Sequence, residues 1–138
     1  MKVLYVDDDP DDRQIFLEAI RSIDENLSCA TAKDGLQALS YLGSNALPDI
    51  IFLDINMPLM NGKTCLAEIR ANKNTSDLPV IIFTTSTDPR EKAECKKIGA
   101  TDFILKPVTF LQMQQTLRSI FRERRYSAFT SPILRDAP

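Results

Sequence analysis

Residues 49–58 read DIIFLDINMP. Four apolar residues in a row, three of them β-branched or aromatic, stand between two aspartates, and a proline closes the stretch. A half-buried strand alternates polar and apolar residues. An unbroken apolar run of this length fits a strand covered on both faces, as in parallel sheets. Working outward, residues 2–6 (KVLYV), 79–84 (PVIIFT) and 102–105 (DFIL) repeat the pattern, and residues 27–31 (LSCAT) alternate weakly. The segments between them carry helical spacing. Asp9 before Pro10 is an N-cap with proline in the first helical position, and Ile15, Phe16, Ala19, Ile20 and Ile23 form one stripe. Leu36, Leu39 and Leu42 mark a second helix, and Cys65, Leu66 and Ile69 a third that begins near Gly62. Pro89–Ile98 reads as a fourth, ended by Gly99, and Thr109 caps a fifth whose stripe is Leu111, Leu117, Ile120 and Phe121. Five strand–helix units in alternation predict an α/β fold: a doubly wound, five-stranded parallel sheet with right-handed crossovers.

A chain of 138 residues accommodates one core of this kind. The domain is placed at residues 1–123. Residues 124–138 form a C-terminal tail, since from about Tyr126 the sequence turns to Ser, Thr, Pro and Arg without a period; it is expected to be mobile or to contact a partner. A formal net charge of −2 gives no electrostatic reason to expect nucleic acid or a membrane as partner. Arg118, Arg122, Arg124 and Arg125 read as a solvated helix end, favourable beside the C-terminal dipole. The chain has no histidine and no paired cysteines, which excludes zinc centres and histidine acid–base chemistry. Cys29, Cys65 and Cys95 read as buried, reduced thiols. With no apolar leader after Met1, the protein is expected to be cytoplasmic.

Ligands of doubly wound sheets collect at the carboxyl ends of the strands. The expected ends bring together Asp7, Asp8 and Asp9, then Asp54 followed by Asn56, then Thr84, Thr85 and Ser86, then Lys106 before Pro107. Two carboxylates about 4 Å apart repel by roughly 4 kcal/mol at an effective dielectric of 20, and Lys106 offsets only one charge. A hard divalent cation with oxygen ligands resolves the crowding, and Mg2+ fits best. Once the potential is lowered, one carboxylate can attack phosphorus while Thr84 and Lys106 hold the phosphoryl oxygens.

These pieces are similar to the motifs of bacterial response-regulator receiver domains: Val6-Asp7-Asp8, Leu53-Asp54-Ile55-Asn56-Met57-Pro58 with Gly62, Thr84-Thr85, and Lys106-Pro107, in order and each at a strand end. The resemblance covers about residues 1–123 and implies a flavodoxin-like (βα)5 fold of strand order 2-1-3-4-5. It implies that Asp54 is the phosphoacceptor and that Asp7 and Asp8 are the acidic pair. Mg2+ is then held by Asp8 and Asp54, with Asp7 in the same acidic set and Asn56 contributing its backbone carbonyl. It further implies Thr84 as switch hydroxyl, Phe103 as switch aromatic, Lys106 as phosphoryl-binding base and a cis Lys106–Pro107 bond. The implied function is a stand-alone signalling switch, not an enzyme in the ordinary sense. Its implied partners are a histidine kinase or phosphotransfer protein and a downstream protein target. A homodimer through the fourth and fifth helices is also implied, with Phe110, Phe121, Tyr126 and Phe129 as apolar contributors.

Blander explanations fit some of these residues better. Asp9, Asp11 and Asp12 suit a helix N-terminus, and Phe103 also suits a strand core. Two further classes share Asp and Mg2+ chemistry or the fold. A haloacid-dehalogenase-type enzyme expects a second aspartate where Asn56 stands, and an FMN carrier expects a Ser/Thr/Gly-rich loop where Asp7-Asp8-Asp9 stands. A phosphorelay intermediate and a non-phosphorylated binding module of the same fold are the nearer alternatives.

Overall fold

β3 (Ile50–Leu53) is the middle of a five-stranded parallel sheet. The computed structural model describes residues 1–44 and 46–128, with the backbone alone for residues 124–128. The remaining elements are β1 (Lys2–Val6), α1 (Pro10–Ile23), β2 (Ser28–Ala32), α2 (Gly35–Ser44), α3 (Gly62–Ala71), β4 (Val80–Thr84), α4 (Pro89–Ile98), β5 (Asp102–Leu105) and α5 (Phe110–Ala128). The strand order is β2-β1-β3-β4-β5, as expected.

The period of two along each strand divides the core. Leu4, Val6, Ile51, Leu53, Val80 and Ile82 face α2, α3 and α4, where Ala38, Leu42, Cys65, Leu66, Ile69 and Cys95 meet them. Val3, Tyr5, Ile50, Phe52, Ile81 and Phe83 face α1 and α5. On that second face Tyr5 stacks on Phe16 with ring centroids 4.0 Å apart, and Phe52 packs edge-on against Phe83 and Phe121. Each such side chain contributes about 1.5–3 kcal/mol by leaving water, which makes this two-sided burial the main term holding the sheet.

Strand limits shift slightly from the sequence reading. β2 starts at Ser28 because the Leu27 amide is spent on the turn after α1, donating to the Asp24 carbonyl. Pro79 has no N–H to add to β4 and lies just outside it. Three stripe residues are on the wrong side. Ile15 is exposed at the edge of the α1 stripe, one residue before Phe16. Leu36 and Leu111 lie two positions from Ala38 and Met113, about 200° around their helices, and are also exposed. Phe121 is buried in the core, so it is not available for the expected dimer contact; Phe110 is exposed. The side chain of Tyr126 and all of Phe129 lie outside the described residues. α5 continues to Ala128, past residue 123, and residues 129–138 of the expected tail are likewise outside.

All three cysteines are free, and burial pushes the Cys29 and Cys65 thiols up to about 12, so they remain protonated and unreactive at neutral pH. Among the described residues no helix is long and apolar enough to cross a membrane.

Gly99 ends α4 at φ 123°, its amide donating to the carbonyls of Cys95 and Lys96. Arg70 of α3 reaches over this turn. Its Nε donates to the Gly99 carbonyl at 2.8 Å, and Nη1 donates to the carbonyls of Leu78 at 2.7 Å and Ser76 at 3.1 Å. One guanidinium thus ties α3 to the entries of β4 and β5. Replacing it leaves half-buried carbonyls without donors. Arg70→Ala is expected to destabilise the fold by about 2–4 kcal/mol, read as a lower urea midpoint at unchanged slope, with no effect on metal binding.

Candidate functional site

The strand order decides which loops meet. β1 and β3 are hydrogen-bonded neighbours, with Val6 opposite Leu53, so the next residues, Asp7 and Asp54, emerge side by side. Their backbones are pinned: the Asp7 amide donates to the Ala32 carbonyl and the Asp54 amide to the Val6 carbonyl, both at 3.0 Å. β4 and β5 pair with Thr84 opposite Leu105, and the Lys106 amide donates to the Thr84 carbonyl at 2.8 Å. The loop after Asp54 folds back on it. Gly62 donates its amide to the Ile55 carbonyl at 2.7 Å, and a Cβ at position 62 would lie 2.1 Å from the Asp54 carbonyl oxygen. Only glycine permits that approach. Between them, the Met60 amide donates to the Pro58 carbonyl at 2.7 Å across Leu59, which is left-handed at φ 65° and 80% exposed, a strained γ-turn.

Carboxylate oxygens of Asp7, Asp8 and Asp54 lie within 4.8 Å of one another. Asp7 and Asp54 are buried and Asp8 is exposed. Lys106 Nζ sits among them, 2.5 Å from Asp7 Oδ2 and 3.3 Å from Asp54 Oδ2. Asp7 is fully engaged: Tyr5 donates its hydroxyl to Oδ2 at 2.7 Å, and the Asp9 amide donates to Oδ1 at 3.0 Å. The Ile55 amide donates to Asp54 Oδ1 at 2.8 Å. Thr84 is fully buried at the end of β4, its hydroxyl oxygen accepting from the Ser86 amide, and Ser86 in turn donates to Glu91. Asn56 is exposed in the loop beyond Asp54, and Phe103 is half-buried against the core beneath α2–α4. Asp9 caps α1, as expected.

The sequence reading missed two members. Asp12 Oδ2 accepts from Lys106 at 3.1 Å, although a first-turn acid gives no sign of a partner so far along the chain. Tyr5 looked like strand core, and its ring is core; only its hydroxyl belongs to the site. One expectation fails. The described residues contain no cis peptide, so the Lys106–Pro107 bond is trans, the isomer a tertiary amide favours by roughly 0.5–1 kcal/mol.

Burial raises the Asp54 carboxyl above its ordinary value; Lys106 works against this and the neighbouring Asp7 adds to it. For Lys106, burial disfavours the charge, but the hydrogen bond to Asp7 and the charges of Asp54 and Asp7 outweigh it and hold the ammonium above its usual range. The tyrosine hydroxyl is pushed up by burial and by Asp7, so it stays a donor. These residues fit a small hard cation. The oxygen-only donor set is crowded, one member is open to water, and a single ammonium leaves the three acids net negative. Asp7 and Asp54 each accept hydrogen bonds on both carboxylate oxygens, and Asp8 is the member of the three that is open to water.

Known proteins share the sequence pattern and the fold of this chain. The sequence profile described as the response regulator receiver domain matches residues 3–118. The sensor histidine kinase RcsC of Salmonella typhi is 37% identical over 124 residues, which is 90% of this chain and 12% of that protein. The transcriptional regulatory protein PrrA of Mycobacterium tuberculosis is 32% identical over 130 residues, 94% of this chain and 54% of PrrA. The chain thus spans between about an eighth and about half of these relatives. The crystal structure of the phosphorylated cyanobacterial phytochrome response regulator RcpA superposes with a TM-score of 0.85 at 26% identity, covering 95% of this chain and 97% of that one.

Asp54 gives a stability test with a defined sign. A carboxyl raised in the folded state is stabilising when protonated, and that contribution is lost as pH rises from its unfolded value through its folded one. Asp54→Asn is therefore expected to stabilise the metal-free protein at pH 7 by on the order of 1 kcal/mol. That is short of the ~4 kcal/mol of two bare carboxylates, because Lys106 screens much of it. The gain should vanish below about pH 4, where an unfolded aspartate is itself protonated. Urea denaturation at the two pH values measures it; a gain equal at both would contradict the electrostatic account.

Proposed function

Because the chain belongs to the response regulator receiver domain family, whose members accept a phosphoryl group on an aspartate, we propose that Asp54 is the acceptor here and that the reaction depends on Mg2+. The observation that carries this reading is the buried Asp54 carboxylate, 3.3 Å from Lys106 and within 4.8 Å of the oxygens of Asp7 and Asp8. A carboxylate made more basic by burial is the better nucleophile, and one held by the Ile55 amide is already oriented.

In this reading an Asp54 oxygen attacks phosphorus as the bond from phosphorus to the donor breaks, and the leaving group departs on the donor. Lys106 takes up the charge of the phosphoryl oxygens, and Thr84 supplies its hydroxyl from the end of β4. Asp8 and Asp54, with the backbone carbonyl of Asn56, would hold the metal, and Asp7 would support it from beneath. When bound, Mg2+ supplies neutralisation between the acids and the incoming oxygens. These 138 residues contain no histidine, so a phosphohistidine donor lies outside them. Receiver domains interact with histidine kinases or phosphotransfer proteins and with downstream targets. Here the added charge would draw Thr84 inward and let Phe103 turn into the space it leaves, reshaping the surface of α4, β5 and α5. Output can differ widely among relatives: one is a sensor kinase and another a transcriptional regulator.

Incubation with acetyl phosphate and Mg2+ is expected to add the mass of one phosphoryl group to the intact protein. Asp54→Asn and removal of Mg2+ by chelation should each abolish the adduct. Labelling that survives in Asp54→Asn would remove the residue from its role.

A further inference from the structure

Lys106 has three N–H bonds to give, and each has a carboxylate within reach: Asp7 at 2.5 Å, Asp12 at 3.1 Å and Asp54 at 3.3 Å. An arriving phosphoryl oxygen can bind this ammonium only by displacing one of the three. The partners are not equal. Asp7 is buried, with a side chain only 1% exposed, and Asp54 is the proposed acceptor itself. Asp12 stands at the rim in the first turn of α1 with a side chain 37% exposed, so water can take over its hydrogen bond at least cost. Nor is it occupied as a cap. Asp9 caps the helix through the amides of Asp11 and Asp12, leaving the Asp12 carboxylate turned toward β5.

We propose that Asp12 is a positioning residue that holds on Lys106 the hydrogen-bonding place a phosphoryl oxygen takes, and so sets the occupancy of the phosphorylated form. The inference rests on the phosphoacceptor reading above and adds a regulator to it. Between phosphorylation events Asp12 keeps the ammonium in register over Asp54. On phosphorylation it competes for the same proton donor and opposes the added negative charge. Its two effects therefore have opposite signs. Asp12 favours cation binding, by balancing Lys106, and disfavours the anionic phosphoryl group.

Calorimetric titration tests this with Mg2+ alone, and then with beryllofluoride, a phosphoryl mimic, at saturating Mg2+. Asp12→Asn is expected to bind Mg2+ roughly two- to fivefold more weakly and beryllofluoride roughly two- to fivefold more tightly, the factor that goes with losing a partly exposed ion pair. Asp11→Asn is the control: it removes the same charge from an exposed acid in the same helical turn, with no contact to Lys106, and is expected to match wild type in both titrations. Unchanged or weaker beryllofluoride binding by Asp12→Asn would overturn the inference, as would equal effects from Asp11→Asn, which would reduce Asp12 to its net charge. In both cases wild type still binds the mimic and the phosphoacceptor reading stands. Wild type that binds none at saturating Mg2+ would overturn both.

Discussion

One ammonium holds the carboxyl rim of this sheet together. Lys106 comes from the end of β5 and bonds acids that follow β1 and β3, two strands and more away, closing a link between residues 99 positions apart in sequence. Without it, Asp7 and Asp54 would be buried carboxylates with no counter-charge, an arrangement that costs several kcal/mol and would push the loops apart or protonate the acids. With it, both acids have a counter-charge within hydrogen-bonding distance and stay close. In the proposed reaction, the ammonium that makes the resting rim tolerable is also the group that meets the phosphoryl oxygens. Stability and chemistry therefore draw on a single side chain.

Much of the architecture was legible because its cause is local. Unbroken apolar runs bounded by Asp, Pro and Thr mark strands buried on both faces, and capping pairs such as Asp9-Pro10 and the glycine after Ile98 mark helix ends. What was not legible depends on packing from outside the segment. Ile15, Leu36 and Leu111 are apolar and near the right spacing, yet the buried stripe is set by which residues meet the sheet, and Phe16, Ala38 and Met113 win those places. Arg70 carries no pattern at all. Its role exists only because the turns at Leu78 and Gly99 come within reach of one guanidinium.

The site divides in the same way. Asp7, Asp8, Asp54, Thr84 and Lys106 could be named because each ends or follows a strand, and parallel strands deliver their ends to one edge. Tyr5 and Asp12 could not. A tyrosine inside a strand satisfies every rule for core, and the hydroxyl that reaches Asp7 is visible only once the strand's direction past the rim is known. An acid at a helix start satisfies every rule for a dipole partner. The competing explanation was right about Asp9 and incomplete for Asp12, although both stand at the start of one helix. The isomer of the Lys106–Pro107 bond was carried over from resemblance, and no residue in the chain dictated it.

The backbone crossing at Gly62 has a consequence for how this chain can diversify. With no room for even a methyl group against the Asp54 carbonyl, the connection leaving β3 cannot gain, lose or exchange residues at its far end without displacing Asp54. Substitutions in that connection are least costly on its outer curve, where Leu59 already projects into solvent, and new recognition near Asp54 would have that short arc to work with.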